Sequence, residues 1–200
     1  TGHQDDAAEL LVRLVDADTS LLLRKLFEGR VTQALTCTNG GCQRCRDSAA
    51  DTYNQLMLPL VPPDGNRAHL RRSVQEALDA HDQPVCVQDV NPGCDACGGH
   101  TFWKREKVTA FPEVLMVSLN RWNNAGAALL HPVEATQELS YQSQTYHLKS
   151  VVVHTGASAH SGHSWCVSKH PTPTGDWWMY NDADRRITTL KQVATLGTHR

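Results

Sequence analysis

Residues 154–182 read HTGASAHSGHSWCVSKHPTPTGDWWMYND. A histidine-rich turn, broken by Gly156 and Gly162, leads into SWCVS (164–168), which alternates as a strand does. PTPTGD (171–176) reads as a turn, and WWMY (177–180) as a second strand that ends at Asn181-Asp182. Two antiparallel strands joined by that turn bring a histidine at the start of the first beside the polar pair at the end of the second. This is a base with its orienting partner, the second half of a nucleophile–His–Asx arrangement. His154, His160 and His163 compete for the role of base. His163 is favoured, because it sits between Gly162 and the strand, at a strand mouth. Asn181 is expected to accept from its Nδ1–H, with Asp182 as the alternative or auxiliary group. An amide suffices beside a Cys-His pair, since the charges sit on thiolate and imidazolium.

The rest of the composition sets bounds. The 200 residues carry 19 basic and 21 acidic side chains, a formal net charge of -2. No basic footprint for nucleic acid is present. No apolar run approaches the roughly 18 residues of a membrane span, and no signal peptide is recognisable. Thr1 stands in what reads as a helix entry, so the chain reads as a fragment of a longer protein.

Seven cysteines fall into short-spaced groups, which argues for metal over disulfides. Cys94-x2-Cys97 is a clean knuckle followed by two glycines, and Cys42-x2-Cys45 has the same spacing. A four-thiolate zinc site joining Cys42, Cys45, Cys94 and Cys97 is expected, structural because four thiolates leave no open position for water. A zinc ribbon for nucleic acid is the rival class, disfavoured by the acidic balance.

Along the chain, helices are expected over 4–16 and 19–28, the second capped by Thr19 or Ser20 and stopped by Gly29. Strands are expected over 31–37, 51–60, 101–111, 114–122 and 146–154. A helix is expected over 67–81, with Leu70, Val74, Ala77 and Leu78 on one face, and a short helix or turn over 187–196. The pattern is α+β.

Three motifs carry a resemblance. V-V-H-T-G, S-G-H, W-W-M-Y-N-D and R-I-T resemble the histidine box of the ubiquitin-specific proteases, which are papain-like cysteine deubiquitinases. QDDAAELL (4–11) resembles that family's Q-x-D-A-x-E-F-L, and Phe111-Pro112 through Trp122 resembles its L-P-x-V-L-x-x-x-L-x-R-F strand. Departures stand at Asp5, Leu10 and Ser164, where Gln, Phe and Tyr are usual. The resemblance covers nearly the whole chain but about the last two-thirds of a family domain. It implies a papain-like fold fragment in one partial domain: thumb base (1–30), zinc-bearing fingers (31–110) and antiparallel β palm (111–200). It places Asp6 against an arginine of the ubiquitin tail and the first finger cysteine at Cys37, an alternative to Cys42 beside Cys45. It implies hydrolysis of the bond after ubiquitin's C-terminal Gly-Gly, with ubiquitin or ubiquitinated proteins as partners.

The family's nucleophile lies in a Gly-Asn-Thr-Cys-Tyr segment ahead of the Q-x-D motif, and that segment is not in this chain. Cys166, three residues after His163, faces away from it on a strand. Cys86 falls in the finger region. The rival to an enzyme is therefore an inactive ubiquitin-binding pseudoprotease or scaffold. Reduced cysteines point to cytosol or nucleus.

Overall fold

Residues 7–42, 44–62, 70–121, 129, 131–158, 161–171 and 175–189 are described by the computed structural model, without the side chains of 157, 158 and 161. Asp6, His160 and Trp122 lie outside them, as do 190–196 of the expected C-terminal helix or turn.

The chain begins with α1 (Ala7–Ala17) and α2 (Leu22–Phe27). The N-cap position of α2 is Leu21 rather than Thr19 or Ser20, although the Ser20 hydroxyl accepts from Leu22 N–H at 3.3 Å. The Asp18 carboxylate accepts from the Ser20 hydroxyl at 2.6 Å and from the backbone N–H of Leu23 at 2.6 Å. Those bonds, the Ser20 hydroxyl first, hold the Asp18 carboxyl below its usual range. They also draw Leu21 into the left-handed region at φ 61°. A Cβ added at Gly29 would run into the end of the Tyr53 ring, which would have to shift.

The strands in chain order are β1 (Gly29–Cys37), β2 (Cys45–Asp47), β3 (Asp51–Tyr53), β4 (Leu56–Pro59), β5 (Val85–Val87), β6 (Phe102–Ala110), β7 (Val117–Asn120), β8 (Glu138–Tyr141), β9 (Gln144–His147), β10 (Ser150–Ser158), β11 (Ser161–Lys169), β12 (Trp177–Asn181) and β13 (Asp184–Thr188). One sheet has the order β2-β1-β6-β5, with β3 also on β1. A second is the meander β10-β11-β12-β13. β4 and β7 form a short parallel pair, and β8 and β9 a hairpin.

Several segments are shorter than their apolar patterns predict. The 51–60 run divides, because its first part pairs with β1 and its second with β7. The described part of the 114–122 run keeps four paired residues. Its start turns away to bond Leu26, Val114 N–H to the Leu26 carbonyl at 2.9 Å. Its end is level with Pro59, which has no N–H to extend the ladder. The 146–154 run breaks at Leu148-Lys149 and serves two sheets. Of the expected 67–81 helix, 67–69 lie outside the described residues, and among the rest the helix starts at Val74, as α3 (Val74–His81). Ser73 Oγ accepts from Glu76 N–H at 3.1 Å, and Glu76 reaches back to Arg72 N–H at 2.7 Å. This S-x-x-E signal was readable at 73–76.

The main core gathers Leu56, Leu58 and Leu60 with Ala77 and Leu78 of α3, Val108 and Tyr141. Leu58 is fully buried. Leu58→Ala is expected to cost about 2–5 kcal/mol, read as a lower midpoint in urea unfolding at an unchanged slope.

Candidate functional site

The meander sheet builds the histidine site. β11 and β12 pair with Cys166 opposite Tyr180 and Val167 opposite Met179. That register sets Asn181 level with Trp165, so His163 lies one pleat away on the same face. The face is apolar behind them: Trp165, Val167 and Met179 are buried together, with Val151, Val153 and Trp177 packed around. Packed side chains thus hold the two strands rigidly while their polar ends reach the sheet's rim.

His163 Nε2 hydrogen-bonds Asn181 Oδ1. The expected bond through Nδ1 is corrected. The ring enters from a diagonal position and turns its far nitrogen to the amide, so Nε2 carries the proton and Nδ1 is left as the basic lone pair. Asp182 Oδ2 is 3.7 Å from the same Nε2, on a side chain 82% exposed. Its backbone has φ 51°, a conformation Asp tolerates in the tight turn from β12 to β13. The His163 side chain is 43% exposed, open to an incoming group.

His154 sits on β10 level with Ser164 and faces the other side of the sheet. Its ring crosses Gly162, where an added Cβ would lie 2.5 Å from His154 Nε2 and collide with the Thr155 carbonyl. Cys166 pairs across Val152 and Tyr180, also on that other side. Burial pushes its thiol above the ordinary value. The remaining six cysteines are in the β1–β6 region and none belongs to the meander sheet.

The second constellation lies at the tip of the other sheet. The sulfurs of Cys37, Cys42, Cys94 and Cys97 all lie within 4.8 Å of one another. Cys37 is 3.6 Å from Cys97, and Cys42 is 3.5 Å from Cys94. A tetrahedron of thiolates about 2.3 Å from one ion has edges of about 3.8 Å, so the four fit a metal ion. Cys45, expected as a ligand, is outside the group. Its strand pairing explains why: Cys45 is opposite Thr36, so it faces away from Cys37, the next residue on β1. Its sulfur accepts from Thr36 Oγ1 at 3.6 Å instead. Cys42 reaches the cluster from the turn before β2, where its N–H bonds the Asn39 carbonyl.

The thiols of this cluster differ in acidity. The Gly99 N–H, then the Cys37 thiol, hold Cys97 down to about 7. At Cys42 the Arg44 N–H pulls downward, but the Cys94 thiol, burial and Cys97 outweigh it and push the group up to about 12.

A family model described as ubiquitin carboxyl-terminal hydrolase matches residues 1–196. The chain belongs to the ubiquitin carboxyl-terminal hydrolase family. Among curated hydrolases of this kind, it is 28% identical to mouse "Ubl carboxyl-terminal hydrolase 18" over 98% of this chain and 59% of that protein. It is 27% identical to human "Ubiquitin carboxyl-terminal hydrolase 42" over 96% of this chain and 16% of that protein. The chain thus spans less than two-thirds of the relatives it matches. Among solved structures, Ubp8 of a SAGA DUB module bound to monoubiquitin superposes with a TM-score of 0.78 at 22% identity, over 96% of this chain and 46% of that one. The same module bound to ubiquitin aldehyde gives 0.76 at 20% identity, over 96% and 47%. The fold is that of this hydrolase family, α+β with antiparallel sheets. No helix among the described residues is long and apolar enough to cross a membrane.

Proposed function

We propose that this chain is the base-bearing and modifier-gripping part of a thiol hydrolase that cuts after the C-terminal Gly-Gly of ubiquitin or a ubiquitin-like modifier. The His163–Asn181 pair at the rim of the meander sheet carries the reading. Membership of the family supports the reaction class, and the ubiquitin-bound neighbours support the modifier. In this reading His163 takes a thiol proton at Nδ1, and the thiolate attacks the scissile carbonyl. His163 then gives the proton to the leaving amine and later activates the water that releases the acyl group. Asn181 holds the ring through Nε2 throughout. Asp182 supplies a weaker, solvent-screened field. Asp6 would meet an arginine of the modifier's tail. Residues 1–30, 31–110 and 111–200 would serve as thumb base, fingers and palm.

The nucleophile would come from outside the seven cysteines of this chain, since Cys166 faces the wrong side of the sheet. Cys37, Cys42, Cys94 and Cys97 would hold a structural zinc ion, which ties the two knuckles together. A second reading, a ubiquitin-binding scaffold without hydrolysis, is favoured by that same absence of a thiol facing His163.

One experiment separates them. The full-length protein is incubated with ubiquitin bearing a thiol-reactive C-terminal group, and the intact mass is measured. A single covalent adduct is expected. Ubiquitin binding without an adduct would establish the scaffold, and neither would refute both.

A further inference from the structure

The outward face of the β1–β6 sheet belongs to neither constellation. Along β6, Trp103, Arg105 and Lys107 are exposed and alternate with buried or half-buried Phe102, Lys104, Glu106 and Val108. Phe102 and Val108 turn inward to the two cores. Trp103, Arg105 and Lys107 pair with Thr36, Ala34 and Thr32 of β1, so the outer face has a low floor of small side chains. Past Lys107 the face continues to Arg30, level with Ala110. Arg30 and Ala110 in turn line a cleft of about 380 Å³ with Arg24, Lys25, Glu28 and Leu21.

The charges along this face are out of balance. Arg105 is matched by Asp82 at 2.9 Å. Among the described residues Lys25, Arg30 and Lys107 have no ion pair, whereas Arg24 bonds the Asp16 carbonyl at 3.5 Å and is attracted by the Asp18 carboxylate. Glu28 in the cleft and Asp47, across β1 from Arg105, are the acids nearby. Three cations without a carboxylate partner, Lys107, Arg30 and Lys25, therefore follow one another along the sheet and into the cleft of a chain whose net charge is -2. At the far end Trp103 is 49% exposed, about 13 Å along β6 from Lys107 at about 3.3 Å per residue.

We propose that this face docks an acidic segment of a partner protein. The cations would steer and orient the segment, and Trp103 would give it one apolar anchor. A strand of nucleic acid fits less well, because it is gripped by successive stacking aromatics and this face offers one. The surface is separate from the histidine site and does not depend on the hydrolase reading.

The test uses the full-length protein and a fluorescein-labelled peptide, a four-fold repeat of Glu-Glu-Leu, with binding followed by anisotropy at low and near-physiological salt. A Gln-Gln-Leu repeat, an oligonucleotide of equal charge and ubiquitin serve as comparisons. Saturable, salt-weakened binding of the acidic peptide is expected. R30E/K107E should weaken it about tenfold or more and Trp103→Ala several-fold, with metal content and unfolding midpoint unchanged. No saturable binding, tighter binding of the oligonucleotide, or indifference to charge reversal would overturn the proposal. So would a loss confined to ubiquitin binding, which would make the face part of the modifier contact.

Discussion

Replacing Cys37 or Cys42 with serine is expected to remove about one equivalent of zinc per chain and loosen both knuckles, while Cys45→Ser keeps the metal. The ligand geometry decides this difference. Cys37 and Cys42 each stand within 3.6 Å of a thiol from the other knuckle, whereas Cys45 faces the opposite side of β1 and β2. Structural zinc in small domains is worth about 10–16 kcal/mol of folding free energy, so its loss should be felt well beyond one hydrogen bond. Cys37 is also 3% exposed and packs with Cys94 and Phe102, so serine leaves a polar group in a tight apolar site. Metal content by mass spectrometry of the native protein, with amide exchange over 29–53 and 85–110, reads both effects. Retained zinc in the Cys37 variant together with loss in the Cys45 variant would reverse the assignment.

The same cluster predicts how metal binding depends on pH. Cys42, pushed up to about 12, holds its proton through the neutral range, while Cys97 at about 7 is half ionised there. A bound ion must displace the protons that remain. Protons therefore compete with metal, and affinity should fall as pH is lowered and rise as it is raised. Competition with a chromophoric chelator at mildly acidic and mildly alkaline pH checks the sign.

In the full-length protein, His163→Ala is expected to lower kcat/KM for a ubiquitin C-terminal reporter by about 10⁴-fold, to the limit of detection. Asn181→Ala should cost about 10–150-fold, the range for one hydrogen bond to a group that becomes charged. Asp182→Ala should cost less than about fivefold, because its carboxylate is 3.7 Å from Nε2 and screened by solvent. The order follows from contact: His163 moves the proton, Asn181 fixes the ring, and Asp182 acts at a distance. Asn181→Asp should restore part of the loss, since a carboxylate can accept the same Nε2–H. Equal losses at Asn181 and Asp182 would contradict the geometry, and His163→Ala at wild-type rate would end the hydrolase reading.

The histidine pairing was legible in the sequence because one hairpin contains it. Gly162, the alternation of SWCVS and the WWMY run fixed both strands, and with them the face shared by His163 and Asn181. The nitrogen that faces the amide was not legible, since it depends on the ring's diagonal approach between strands. The thiol cluster was half legible. Cys94-x2-Cys97 closes within one local turn, so spacing sufficed. At Cys37–Cys45, spacing favoured Cys42-x2-Cys45, but pairing of Cys45 with Thr36 turned that thiol to the wrong face. β7 was overestimated for a related reason. Its apolar run extends beyond the four residues that β4 can pair, and of the surplus Leu115 packs against the core as loop while Val114 stays exposed. Such limits are set by partners distant in sequence, which periodicity does not record.

The two constellations also differ in how far the chain must travel to make them. His163 and Asn181 are separated by 18 residues, but the thiols that meet across the knuckles are separated by 60 and 52. Closing the longer loops costs only about 1 kcal/mol more, so the contrast concerns timing more than stability. The hairpin that joins His163 to Asn181 can close locally once residues 163–181 are present, whereas the thiol cluster needs two turns far apart in the chain to meet. Metal shortage should then loosen the two knuckles and leave the His163–Asn181 pair in place.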